Sequence, residues 1–284
     1  AGAATSARDL AVADAARWFA PELQVIELPA WDCLPYDRAS PALSVSARRL
    51  AALHRLQAGE RGQQLLVTTI NALLQRVLTP FRIRESVREL RPGVAIGHES
   101  LAALLQRQGY SRTDTVADNG EFAVRGSIFD IFPSGLDQGL RLDFFGDELE
   151  SLRLFDPSTQ RTTEVVDRHL LLPASEVLLD EDSVKRFRAR YREQFGAHAT
   201  QDPLYQAVSD GRRLSGMEHW LPLFEARLAS VFDHLGDRDV VVIDSAALAA
   251  ADERFGDVDD YHRQRGETTA QAADTFHNPL LKTG

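Results

Sequence analysis

Apolar spacing divides the chain into three stretches. In the first, an Ala-rich helix over residues 1–20 is followed by "LQVIELPAW" (23–31), a short buried strand stopped by Pro29. "DCLPYDRASPALS" follows as a loop. Val45, Leu50, Leu53 and Leu56 then recur near helical spacing, with Gly59 as the stop. "QQLLVTTINALLQRVL" gives a strand, a polar break and a helix. Alternating strands and helices up to Leu78 predict an α/β layer with parallel strands. After Pro80 a new unit opens, with a helix in "SLAALLQRQGY" that Ser100 is placed to cap. Extended runs follow. Gly146 and Asp147 separate "LRLDFF" from "ELESLRLF", which predicts a tight hairpin. "DPSTQRT" reads as a turn, and "VVDRHLLLPAS" as one further strand ending at Pro173. Residues 81–172 are therefore expected to form an α+β unit with an antiparallel sheet. The third stretch opens with a helix that has Ser183 near its start. It continues through a Gly-containing loop and an apolar patch at "GMEHWLPLF". A buried strand is expected at Val240 to Ile243, then a helix, then a mobile tail over the last ten residues.

Side chains alternate along a strand. Leu140, Leu142 and Phe144 fall on one face of "LRLDFF", and Arg141, Asp143 and Phe145 on the other. In "EFAVRG", Phe122 and Val124 share a face while Arg125 takes the opposite one, and Gly126 is placed for a bulge. If these two strands are neighbours, Arg125, Arg141 and Phe145 share one outer surface. Arginine beside an aromatic ring is the composition of a protein-binding hot spot. The pattern is equally met by a solvated Arg141 and Asp143 with Phe145 under a loop, because single exposed apolar residues are common.

Composition narrows the chemistry. The 284 residues carry a net charge of −10, which disfavours gripping nucleic acid through phosphates. No apolar run is long enough to span a membrane. Cys33 is the one cysteine, which excludes an internal disulfide or Cys-rich zinc site and suits a cytoplasmic location. The only lysines, Lys185 and Lys282, are outside any phosphate-cradling loop. No two of the eight histidines have the spacing of a helical metal site. His219, beside Glu218 and Trp220, reads as a general base or as a half-buried structural residue. Cys33 has no histidine near it in sequence, and no nucleophile motif appears. The acids of "LLDEDS" suit a helix N-terminus. No catalytic residue, cofactor site or metal site is expected, so this stretch of chain reads as a binding module, not an enzyme.

Five motifs in order, "LPAWDCLPYDRASP", "EFAVRGSIFDIFPSG", "LRLDFFGDELESLRLFDPSTQRT", "LLPASE" and "GMEHWLPLF", resemble the N-terminal part of the bacterial transcription-repair coupling factors. The resemblance implies a split UvrB-like α/β domain of degenerate helicase type, made of residues 1–80 and 173–284. It implies an inserted α+β antiparallel-sheet domain over 81–172 that binds UvrA. The family's UvrA contacts would fall on Arg125, Arg141 and Phe145. The lysine-free "AGAATSARDLAVADAAR" is similar to a lost nucleotide loop and its helix, and the short "DCLPYDRASPALS" leaves no room for UvrB's damage-probing hairpin. The resemblance further implies that RNA-polymerase-binding and DNA-translocating parts lie outside this chain, and that residues 1–30 are shorter than the family's. UvrA is then the expected partner, with RNA polymerase and double-stranded DNA as partners of the full-length relatives and no membrane contact. The competing reading is a fragment of an ATP-dependent DNA translocase or helicase with direct DNA contact.

Overall fold

The computed structural model describes residues 7–34, 38–58 and 63–271. The first stretch forms α1 (Ala7–Phe19), β1 (Gln24–Leu28), α2 (Leu43–Ala58) and β2 (Gln64–Thr68). β1 and β2 pair in parallel, Gln24 against Gln64 through Leu28 against Thr68. Parallel neighbours need a crossover, and α2 supplies it. Its Val45, Leu50 and Leu53 are buried as their spacing predicts. The Gly59 stop and the tail expected over 275–284 lie outside the described residues.

α3 (Ile70–Leu74) starts at Thr69, whose Oγ1 accepts from the Ala72 amide. α4 (Pro80–Ser86) starts at Thr79 in the same way, with Pro80 in the first turn where no amide proton is needed. Pro80 was expected to open a new unit. Instead α4 sends Ile83 into the same core as Leu28, Leu50 and Leu53.

β3 (Arg88–Leu90) and α5 (His98–Arg107) come next. Ser100 does not cap α5. The cap is Gly97, at φ 64°, and it offers no side-chain bond. A six-stranded sheet then runs in chain order: β4 (Ser111–Arg112), β5 (Glu121–Arg125), β6 (Ile128–Ile131), β7 (Gly139–Phe145), β8 (Glu148–Phe155) and β9 (Thr162–Val166). Only the short β4–β5 contact is parallel; the rest is an antiparallel meander. Gly126 and Gly146, both at φ 62°, stand first in two-residue turns that join Arg125 to Ile128 and Phe145 to Glu148. A positive φ at that position matches the turns favoured between twisted strands. The hairpin expected at Gly146 is therefore present, whereas Gly126 marks a turn and not a bulge. The strand read from "VVDRHLLLPAS" is two strands. β9 closes the meander, and β10 (His169–Leu171) pairs antiparallel with β3. Phe122, Phe129, Leu140, Leu142, Phe144, Leu149 and Leu152 form a second core with Leu101 and Leu105 of α5.

The chain then returns to the first core. α6 (Glu181–Phe195) is capped by Asp180, which accepts from the Ser183 amide at 2.9 Å. α7 (Pro203–Ser209) and α8 (Leu221–Phe224) follow. Phe187, Tyr191, Leu204 and Phe224 join Ile26, Leu28 and Leu50, with Phe187 stacked on Phe224 at 4.5 Å. One core thus draws on residues 26–83 and 177–231, the other on 90–174. α9 (Ala247–Gln271) lies against α3. Val240 to Ile243 do not form the expected buried strand. They are coil, with Val240 86% and Val242 90% exposed. A strand must hydrogen-bond to a neighbour, and this run pairs with neither β1 nor β2.

Candidate interaction face

The second core covers one face of the meander. On the other face, registers place Ala123, Asp130, Arg141, Arg153 and Val165 in one row across β5 to β9. Arg125, Ile128, Asp143 and Ser151 form the next row. All three residues singled out from alternation are on this face, but β5 and β7 are not neighbours. β6 runs between them and puts Asp130 where the two arginines converge.

Asp130 has a fully buried side chain. Its Oδ1 accepts from Arg141 Nε at 2.7 Å, and its Oδ2 from Arg141 Nη2 at 2.9 Å and Arg125 Nη2 at 2.6 Å. The pairing holds the Arg141 guanidinium protonated, raising its pKa chiefly through the Asp130 hydrogen bond. Arg141 also lies over the Phe155 ring at 4.9 Å and donates from Nη1 to the Gln160 carbonyl at 3.4 Å. Gln160, at φ 60°, closes this corner by donating to the carbonyls of Val116 and Pro157. Val116, Ala123, Phe132 and Phe155 form a small buried cluster there. The face is therefore roofed at one end. Arg141 keeps only 15% of its side-chain surface, against 49% for Arg125.

The other end is open. Phe145 is 81% exposed, beside the Gly146 turn. The Gly126 turn lies at the same end, where the Phe144 amide donates to the Ser127 carbonyl. Arg141 stands directly opposite Arg153, a like-charge pairing that destabilises a sheet unless each charge is matched. Both are matched: Arg141 by Asp130, and Arg153 by Asp143, which also accepts from Ser151 Oγ at 3.0 Å. Sequence reasoning missed Asp130. Its signal was available, since Phe129 and Ile131 are core residues and the residue between them must face outward.

The catalytic candidates resolve differently. Cys33 was expected to have no histidine nearby. The fold places its Sγ 3.8 Å from His219 Nε2, across 186 positions of sequence. The same nitrogen lies 3.1 Å from the Ala39 carbonyl. A carbonyl only accepts, so Nε2 carries a proton and presents no lone pair to the thiol. His219 also packs its ring against Trp31 at 5.7 Å, edge to face. This geometry fits the structural reading of His219. The pair borders a cavity of about 300 Å³ that Leu74, Leu221 and Phe255 help to line. The acids at 180–182 serve the helix start as expected: Asp180 caps α6 and pairs with Arg82. Arg49 and Glu176, both buried, pair at 2.6 Å, with Trp31 Nε1 donating to the same carboxylate at 2.8 Å. Among the described residues no group of side chains has the makings of a metal site, and no helix is long and apolar enough to cross a membrane.

Residues 89–177 match the UvrB interaction domain family. The chain is 39% identical over 216 residues to the transcription-repair-coupling factor of Haemophilus influenzae, a match covering 75% of this chain and 19% of that protein. It is 35% identical to the Escherichia coli K12 protein of the same name over 81% of this chain and 20% of that one. For the Rickettsia prowazekii protein the figures are 30%, 94% and 24%. The resemblance read from the five motifs is thus present over most of the chain. The chain spans about a fifth to a quarter of the length of these relatives.

Proposed function

We propose that this chain is the UvrA-recruiting part of a transcription-repair coupling factor, and that it docks through the open end of the meander. The observation that carries this reading is a coincidence of place. The residues matching the UvrB interaction domain, 89–177, contain the whole six-stranded sheet, and that sheet displays Phe145 and Arg125 at one end. A large exposed ring and a guanidinium on the same open end supply apolar area and a directed charge, the residue types enriched at the hot spots of protein interfaces. On this reading the inserted UvrA-binding domain, expected over 81–172, begins only after α4, which belongs to the first core, and the chain on either side of it makes the two parts of a UvrB-like α/β domain that supports it. On the same reading, contact with RNA polymerase and double-stranded DNA, and ATP-driven movement, would fall to other parts of such a factor. The role of this part is to hand UvrA to the lesion at which polymerase has stalled.

Calorimetric titration with UvrA tests the reading. The wild-type chain is expected to bind, and Phe145→Ala and Arg125→Ala each to weaken binding by at least about tenfold, the scale of a hot-spot truncation. Circular dichroism confirms that the variants are folded. A wild-type chain that does not bind UvrA, or variants that bind as the wild type does, would remove the proposal.

A further inference from the structure

The two arginines of this face have different surroundings, and this implies different tasks. Arg141 has its donors engaged. Nε and Nη2 hold both oxygens of Asp130, Nη1 meets the Gln160 carbonyl, and the planar group rests on Phe155. To meet a partner it would have to leave Asp130, a fully buried carboxylate, and an unpaired buried carboxylate is strongly unfavourable. Among the described residues Arg125 makes one side-chain bond, through Nη2, and half of its side chain is in solvent. The trio of two guanidinium groups and one carboxylate carries one net positive charge, and its exposed part is Arg125.

We propose that Asp130 and Arg141 are positioning residues that hold Arg125 in a fixed pose, and that Arg125, with Phe145 at the same end of the sheet, receives a carboxylate of the partner set against an apolar surface. The proposal rests on the interaction reading above, but half of it is testable without any partner. A bidentate contact fixes both distance and angle of the carboxylate, and Asp130 passes that constraint to Arg125 through Oδ2. Prior ordering of a long side chain removes an entropic cost from binding. A lysine at position 141 keeps the charge but cannot hold two carboxylate oxygens in a planar fork.

The experiment is a double-mutant cycle on the full chain with UvrA, using Arg125→Ala, Arg141→Lys and their combination. Arg141→Lys alone is expected to weaken binding by about three- to tenfold, and to weaken it no further once Arg125 is alanine, as coupled residues behave. The same loss in both backgrounds would make Arg141 an independent contact and overturn the proposal. So would wild-type affinity in Arg141→Lys. A second measurement follows the Arg125 Nε–H by side-chain nitrogen relaxation in the chain alone, in wild type, Arg141→Lys and Asp130→Asn. Arg125 is expected to be ordered in the wild type and to gain motion in both variants. Equal mobility in all three would overturn positioning whatever UvrA does. If Asp130→Asn fails to fold, Arg141→Lys decides. If the wild-type chain does not bind UvrA, the interaction reading fails by itself and the relaxation data still settle the role of Asp130 and Arg141.

Discussion

Residues 140–145 and 240–243 are both strand-prone, "LRLDFF" and "VVVI", yet only the first lies in a sheet. The first alternates. Leu140, Leu142 and Phe144 are buried, and Arg141 and Asp143 are matched by charges on neighbouring strands. The second is apolar at every position, as a strand covered on both faces would be, but it pairs with no strand among the described residues and is exposed. Hydrophobicity sets what a segment could bury. Whether it does so depends on a partner elsewhere in the fold. Alternation carries more information, because it also states which face the partner must cover.

The comparison can be broken most directly with truncations. Leu142→Ala, at a fully buried position, is expected to cost about 2–5 kcal/mol in denaturant unfolding. A cost below about 1 kcal/mol would mean that the sheet face is not a close-packed core.

The next effect depends on pH. Burial lowers the pKa of His169 on β10 from 6.5 to about 4, and its buried Nε2 has no hydrogen-bond partner among the described residues. The unfolded chain takes up a proton below about 6.5 and the folded chain does not. The stability tied to His169 is thus fully present above 6.5 and is lost as pH falls toward 4, by on the order of 3 kcal/mol. Chemical denaturation of wild type and His169→Phe at pH 7 and pH 4.5 reads this, and the variant should lose less on acidification. Equal losses would show that His169 is solvated.

A smaller effect is expected at Gly139. A Cβ there would stand 2.2 Å from Phe155 Cζ, and Phe155 is the ring beneath Arg141. Gly139→Ala is expected to cost about 1–3 kcal/mol as the ring shifts, and to disturb Arg141 with it; thermal unfolding measures the first. The smallest effect separates the two stretches most cleanly. Val242→Ala and Phe145→Ala, both at exposed positions, are each expected to change stability by no more than about 0.5 kcal/mol. A larger loss at Val242 would show that the run is covered in solution.

Much of the sheet was legible because its period is two and its turns carry glycine at the required places. The outward placement of Arg125, Arg141 and Phe145 followed from that period alone. The strand between them did not, since alternation says which face a residue takes and nothing about which strands are adjacent. The convergence on Asp130 is invisible for that reason, as is the clamp that Asp130 sets on the outward-facing Arg141. Ser100 has the right chemistry for a cap, but Gly97 turns the chain earlier at a φ that favours glycine. Cys33 and His219 meet only through the fold, because 186 positions separate them. Ile83 follows a proline that reads as a boundary, yet Pro80 opens a helix of the preceding core.

The pairing of β3 with β10 has a consequence for how such a molecule could arise or be rebuilt. The stretch that carries the meander is flanked by β3 and β10, which pair antiparallel with Leu90 opposite His169. Its chain enters and leaves through one narrow doorway. Closing the gap left by its removal would require only a short turn, and loop-closure entropy grows slowly with length. A cassette with neighbouring ends can be lengthened, exchanged or transplanted while the host core, assembled from either side of the doorway, keeps its own geometry.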